Sequence, residues 1–232
     1  MLSISVIGVQ GKISTADSVW KVIMELKDAI EKRASVRQFT SDEVSVGNLR
    51  EMIRLAGLAP SINNSQPWRF IAITNRELLN SMSNIVHREI NEMLPEADDE
   101  TANKAKLQVD WFSTFFADAP AVIAVAKCPY DAIVDHALPK TNLTHEDVNV
   151  LRGHPDIESI GASIQNLLLA AIDLGYGTCW LSGPLVAREA LETELNIQSP
   201  WQLAALVAVG KPAVNVPQRV KKPVEDIFEL KA

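Results

Sequence analysis

Three stretches of this 232-residue chain are dense enough in donors and acceptors to do chemistry. The first is Lys32-Arg33-Ala34-Ser35-Val36-Arg37-Gln38-Phe39, with two guanidiniums four residues apart and a hydroxyl between them. Forked, charge-assisted N–H donors make the strong hydrogen bonds to anions, so this set suits a phosphate. The same cations also suit the C-terminus of a helix, whose dipole end is negative. The second stretch is APSINNSQPWRF, residues 59–70, which places small amides and hydroxyls between Pro60 and Pro67. It is a stiff loop rich in polar groups, or simply an Asx-rich turn. In the third stretch, residues 161–183, an apolar segment passes through Gly175 and Gly177 and ends at Ser182-Gly183. Glycine permits a backbone to approach a ligand closely.

These stretches need elements to hold them. A helix over 18–32, capped by Ser18, carries Val19, Val22, Ile23, Leu26 and Ile30 at helical spacing and delivers the first stretch. A helix over 46–58, with Leu49, Met52, Ile53, Leu55 and Ala56 inward and Pro60 as its stop, delivers the second. Residues 68–74 and 121–127 read as buried strands, being short, apolar and rich in β-formers. Helices are expected over 76–94 and 102–116. Residues 128–155 form a long connection with three prolines, of the kind that is usually functional or mobile. The helix over 158–174 is apolar on every side, which predicts burial on all sides. Gly175 and Gly177 end it, and strand 178–181, helix 185–195 and strand 202–209 follow. The tail from Gly210 holds Pro212, Pro217 and Pro223 and should run extended. The pattern is one domain over 18–232, α+β or mixed α/β, preceded by an arm, 1–17, without an assignable role.

Composition narrows the function classes. With 22 Lys+Arg against 29 Asp+Glu the formal charge is −7, so the chain lacks the basic footprint of a nucleic-acid binder or of a protein docked on anionic lipid. No window approaches the roughly 20 apolar residues that span a bilayer. Cys128 and Cys179 are too few for a Cys₄ metal site or a disulfide framework, and the expectation is a cytoplasmic protein with reduced thiols. His87, His136, His145 and His154 lack the spacing of a zinc helix, and the three in the 128–155 connection read as solvated loop residues, so no metal is expected. Gly11-Lys12 lacks the remainder of a phosphate loop, with Val6 and Ile13 at the deciding positions. No Gly-x-Ser-x-Gly elbow is present either.

Taken together and in this order, R-x-S-x-R, PSxxNxQPW and QNLLLAA followed by a glycine turn make the chain resemble the FMN-dependent nitroreductase family over roughly residues 18–223. The resemblance implies a three-layer α+β sandwich, with a mainly antiparallel sheet between helices, that forms an intertwined homodimer with FMN in the interface. It assigns Arg33, Ser35 and Arg37 to the ribityl phosphate and the pyrimidine side of the flavin. It assigns Pro60, Ser61, Ile62 and Asn64 to a loop reaching across from the other subunit. Leu181, Ser182 and Gly183 fall at the N5 edge, acting mainly through backbone, and Arg219 and Lys221 complete the phosphate clamp. The chain departs from the family pattern at Ala34, where a polar contact is lost, and at Ser182, where many relatives carry an acid. Residues 76–116 and 128–155, where relatives build channel and lid, do not align.

The activity so implied is ping-pong reduction of nitroaromatics, quinones or similar electron-poor molecules, with NADH or NADPH as donor and hydride carried by flavin N5. Arg37 is the cation expected near N1–C2=O, an electrostatic stabiliser rather than a side-chain catalyst. Trp180 and Phe70 either wall the flavin or pack in the core, the latter being the favoured reading. The alternatives are a reductive dehalogenase or a flavin-destroying enzyme on the same scaffold, or a flavin-binding redox sensor of low turnover.

Overall fold

The runs of alanine and β-branched residues in AVIAVAK and QLAALVAVG make the centre of a sheet. In this computed structural model, which describes residues 24–231, they form β2 (Ala121–Lys127) and β4 (Gln202–Gly210). The two pair antiparallel, Ile123 opposite Val207, with a register shift between Val125 and Ala126. β1 (Trp68–Ile73) joins β2, with Phe70 opposite Val125, and β3 (Gly177–Leu181) joins β4, with Cys179 opposite Ala208. The order is β1-β2-β4-β3, with every pair antiparallel. Both faces of the central pair are covered, which is why these strands read as unbroken apolar runs instead of alternating.

One covering layer is α3 (Arg76–Met93), α4 (Glu100–Thr114) and α7 (Arg188–Glu194). Leu79, Met82, Val86 and Ile90 pack with Phe116 and Leu191 against Val122, Ala124 and Leu206. The other is α2 (Val46–Ala56) and α6 (Pro155–Asp173), whose Leu49, Met52, Ile164 and Leu167 meet Ile123, Val125 and Val207. The result is the expected three-layer α+β sandwich. Two shorter helices complete it: α1 (Leu26–Lys32) before the Arg33–Arg37 stretch, and α5 (His145–Leu151) inside the long connection. That connection also holds a 3-10 turn, Ile133–Lys140. Among the described residues no helix is long and apolar enough to cross a membrane.

Several elements depart from expectation. The helix expected over 18–32 begins at Leu26, because Glu25 is extended (φ −68°, ψ 145°); Ser18 and the phosphate-loop decoy lie outside the described residues. α2 stops at Ala56, before Pro60 is reached. The segment 185–195 divides into a 3-10 turn, Gly183–Ala187, and α7. β1 is only partly buried: Arg69 and Ala72 are exposed and only Ile73 is fully covered, because β1 is an edge strand paired by β2 alone, whereas at the other edge Ser35 bridges Thr178 of β3. Helix α6 starts earlier than expected, with Pro155 in its first turn, where the missing N–H costs nothing. Within this chain it is not covered on all sides either. Ile157 is 45% exposed, and Ala162, Leu169 and Ile172 are half-buried.

The tail runs extended, as expected, and its course matters for the site. Ala213 N–H donates to Gln38 O at 3.0 Å, and the Gln218 amide donates to Ile30 O and Arg33 O at 3.0 and 3.2 Å. The two ends of the described chain thus lie side by side.

Candidate functional site

Residues 33–37 form an extended ribbon beside β3. Val36 N–H donates to Thr178 O at 2.9 Å, and Ser35 bridges Thr178 in parallel. Gly177 makes this approach possible, since a Cβ there would lie 2.5 Å from Val36 Cγ2 and 2.9 Å from Pro212 Cγ. With the tail held on the other side, Arg33, Ser35, Arg37, Arg219 and Lys221 line one cavity of about 210 Å³. The five residues expected to serve the phosphate and the pyrimidine side of the flavin therefore line one cavity.

Arg37 is the most constrained of them. Its Nη1 donates to Ser35 O at 3.3 Å, and its Cζ sits 5.3 Å from the centre of the Phe112 ring. Among the described residues its Nε is buried without a partner, as is the Thr178 hydroxyl. A buried donor left unmade costs about 1–3 kcal/mol, so these atoms suit an acceptor that the described residues do not supply. Cys179 lies behind the ribbon. Burial pushes its thiol up, against the pull of Arg37, a Ser35 hydrogen bond and Arg33. It stays protonated at neutral pH and is no nucleophile.

Leu181, Ser182 and Gly183 lie together where β3 ends, with Leu181 buried, Ser182 exposed and Gly183 half-buried. The loop residues are elsewhere. Ile62 N–H donates to Ser159 Oγ, Gln66 N–H to Ser61 Oγ, both at 3.0 Å, and the Asn63 amide to Asp131 O at 3.2 Å. Asn63, Asn64 and Gln66 all have positive φ, at 52°, 54° and 48°. Asparagine tolerates this conformation; Gln66 does so less readily, and backbone strain of this kind gathers at ligand sites. Pro60, Ser61 and Ile62 line a separate cavity of about 250 Å³ against α6, and Asn64 is exposed. Within one chain, then, this loop and the cationic cavity do not meet.

Trp180 corrects the core-packing expectation. It is 45% exposed and rests over α6 at Gly161, while its pleat neighbours Cys179 and Leu181 take the opposite, buried face. Phe70 is half-buried and lines a groove of about 650 Å³ between β1 and α2, with Ile53, Arg50 and Arg54. His145 is also not a solvated loop residue. It is half-buried on α5, and its Nδ1 lies 3.0 Å from Asp135. Sequence reasoning missed Phe112 altogether. The only signal was an aromatic pair, Trp111-Phe112, near the end of an otherwise polar helix, both of them exposed.

Comparison with known proteins follows the geometry. A family model described as the Nitroreductase family matches residues 30–211. The chain is 27% identical over 224 residues to an iodotyrosine deiodinase of Nematostella vectensis, spanning 95% of this chain and 80% of that protein. Among solved structures it is similar to a BluB-like flavoprotein from Clostridium difficile 630, with TM-score 0.82 and 33% identity over 90% of this chain and 100% of that one. A nitroreductase with bound FMN from Desulfitobacterium hafniense DCB-2 shares the fold at TM-score 0.67 and 21% identity, covering 89% of this chain and 98% of that one.

Proposed function

Because the chain belongs to the nitroreductase family, we propose that it is an FMN-dependent oxidoreductase that takes electrons from NADH or NADPH and reduces nitroaromatic, quinone or similar electron-poor small molecules. The observation that carries this reading is the single cavity into which Arg33, Ser35, Arg37, Arg219 and Lys221 converge, together with the partnerless buried Nε of Arg37. FMN fits it, since a phosphate satisfies forked cations and a hydroxyl, and a flavin carbonyl satisfies a buried guanidinium N–H.

Bound FMN supplies hydride chemistry at its N5. The chain's own residues do the rest. Arg33, Ser35, Arg219 and Lys221 hold the phosphate. Arg37, kept in place by Ser35 O and the Phe112 ring, sets positive charge beside N1–C2=O, where a partly dry site strengthens it. The backbone of Leu181–Gly183 borders the N5 edge. No side chain acts as a nucleophile, in keeping with the protonated state of Cys179.

The site is completed by a second copy of the chain in a homodimer. Pro60, Ser61, Ile62 and Asn64 then approach the partner's flavin instead of their own cavity. Three features support this: the open edge of β1, the half-covered flank of α6, and a tail whose Val224, Ile227, Phe228 and Leu230 are all more than 60% exposed. The deiodinase likeness favours a second reading, reductive dehalogenation of a small aromatic on the same cofactor.

An absorption spectrum of the purified protein tests the cofactor, which should be yellow and released by heat as FMN. Anaerobic mixing with NADH or NADPH should bleach it rapidly, and a nitroaromatic or quinone should restore the colour. Recovery only with a halogenated aromatic, with halide release, selects the second reading. A colourless protein that refuses added FMN overturns both.

A further inference from the structure

The loop that carries Pro60, Ser61, Ile62 and Asn64 is held in an unfavourable shape by groups outside it. Asn63, Asn64 and Gln66 have positive φ, and such strain persists only where the surroundings over-determine it. Ile62 N–H is held by Ser159 of α6, and Cys128 N–H donates to Pro67 O at 3.1 Å. Between these two ties, the Asn63 amide donates to Asp131 O at 3.2 Å. Asp131 is an exposed residue of the 128–155 connection, so its carbonyl is placed by the residues on either side of it.

Both flanks are gripped from α5. On one side Tyr130, 6% exposed, donates its hydroxyl to Asn149 Oδ1 at 3.2 Å. Asn149, itself 3% exposed, donates in turn to Asp156 Oδ1 of α6 at 3.0 Å. On the other side Ala132 N–H donates to Asp135 Oδ2 at 3.0 Å, and His145 Nδ1 donates to both oxygens of Asp135 at 3.0 Å. The Ala132 N–H and His145 hold the Asp135 carboxyl below its ordinary value, so it receives both bonds as a carboxylate. His145 and Asn149 stand one turn apart on α5 and therefore share a face. The Tyr130 and His145 rings meet edge to face, with centroids 5.0 Å apart, which joins the two grips. Thr144 and Asp147 cap the helix reciprocally and keep this seven-residue element from fraying.

Resting on the flavin reading above, we infer that α5 is a clamp, and that His145 and Asn149 are positioning residues for the loop that meets the partner's flavin. They act through Asn63 and not on the cofactor. The clamp fixes the Asp131 carbonyl, the carbonyl holds Asn63 in the left-handed region, and Asn63 sets where Pro60, Ser61, Ile62 and Asn64 stand. The long connection thus serves the cofactor site without entering it.

Two measurements on the full chain test this. The first is amide exchange of the peptide covering residues 61–68 in the apoprotein, which does not depend on flavin. Tyr130→Phe, which removes only a hydroxyl, should speed it about fivefold, the loss of one hydrogen bond, and His145→Ala should do the same. His145→Gln, whose amide can donate to Asp135, should restore the parent rate. The second is a double-mutant cycle in FMN affinity, read by fluorescence titration. Tyr130→Phe should weaken FMN about threefold to fivefold, and should add nothing once Asn63→Ala has cut the link. A merely structural role for Tyr130 would give losses that add. Loop exchange unmoved in either variant, FMN affinity unchanged in Tyr130→Phe, or additive losses overturn the inference. A parent chain that takes up no FMN overturns the flavin reading instead, and loop exchange then still decides whether the clamp exists.

Discussion

Lys127 Nζ and Asp156 Oδ2 meet at 2.5 Å, where the last residue of β2 abuts the first turn of α6. The Asp156 side chain is 5% exposed and that of Lys127 22%. Asn149 donates to the other carboxylate oxygen at 3.0 Å, and Tyr130 OH donates to Asn149 Oδ1 at 3.2 Å. The network pins the long 128–155 connection to the sandwich, beside the loop that carries Ser61 and Asn63.

This pair predicts an acid-labile anchor. Burial pushes the Asp156 carboxyl up, but hydrogen bonds from Lys127 and Asn149, the Lys127 charge and the Ile157 N–H outweigh it, and the carboxyl lies below its usual value. The stability it adds is therefore fully present above the ordinary carboxylate range, roughly pH 4, and is lost as pH falls through the lowered folded value. Asp156→Asn should cost about 3 kcal/mol at neutral pH by leaving Lys127 unpaired, and should flatten the acid arm of the stability profile. Urea unfolding across that range checks both, and an acid arm parallel to the parent's would rule the pair out as its source.

The partnerless Nε of Arg37 predicts a split between affinity and potential. Arg37→Ala should weaken FMN about tenfold or more, as expected for a lost charged hydrogen bond, and should lower the flavin midpoint potential by removing positive charge near N1. Arg33→Ala should weaken FMN while leaving the potential nearly unmoved, because that guanidinium serves the phosphate. Spectroelectrochemical titration of both variants decides; equal potentials in parent and Arg37→Ala would remove Arg37 from its proposed place.

Gly177→Ala should loosen the ribbon that carries Ser35 and Arg37. The added Cβ falls 2.5 Å from Val36 Cγ2, an overpacking that costs about 1–3 kcal/mol. Adding Val36→Ala should recover part of the loss in stability, because the clashing methyl is removed. Chemical unfolding of the single and double variants reads the coupling, and strictly additive losses would show that the two residues do not press on each other.

Truncation after Pro223 removes the exposed apolar tail but keeps Arg219 and Lys221. If that tail clasps a second copy, the shortened chain should dissociate at concentrations where the full chain is paired. Sedimentation velocity gives the answer directly. Unchanged sedimentation of a dimeric parent would place the interface elsewhere.

How much of this was readable in the chain itself follows physical lines. AVIAVAK and QLAALVAVG announce central strands because a strand buried on both faces must be apolar at every position. Arg33, Ser35 and Arg37 announce an anion because local residue types and spacing determine what chemistry a short ribbon offers. What the sequence left open were the properties that depend on neighbours distant along the chain. β1 has the same apolar composition as the central strands, yet its burial was settled by its place at the sheet edge. Trp180 looks like core until the pleat of β3 turns it outward. Arg33 and Lys221 share a cavity only because the tail returns along residues 30–40 through backbone and amide hydrogen bonds. His145 and Asn149 are two polar residues of a long connection until folding turns them onto the segment around Asp131. Composition and periodicity act over a few residues, whereas a site is a matter of which surfaces exclude water together, and only the folded chain brings those surfaces into contact.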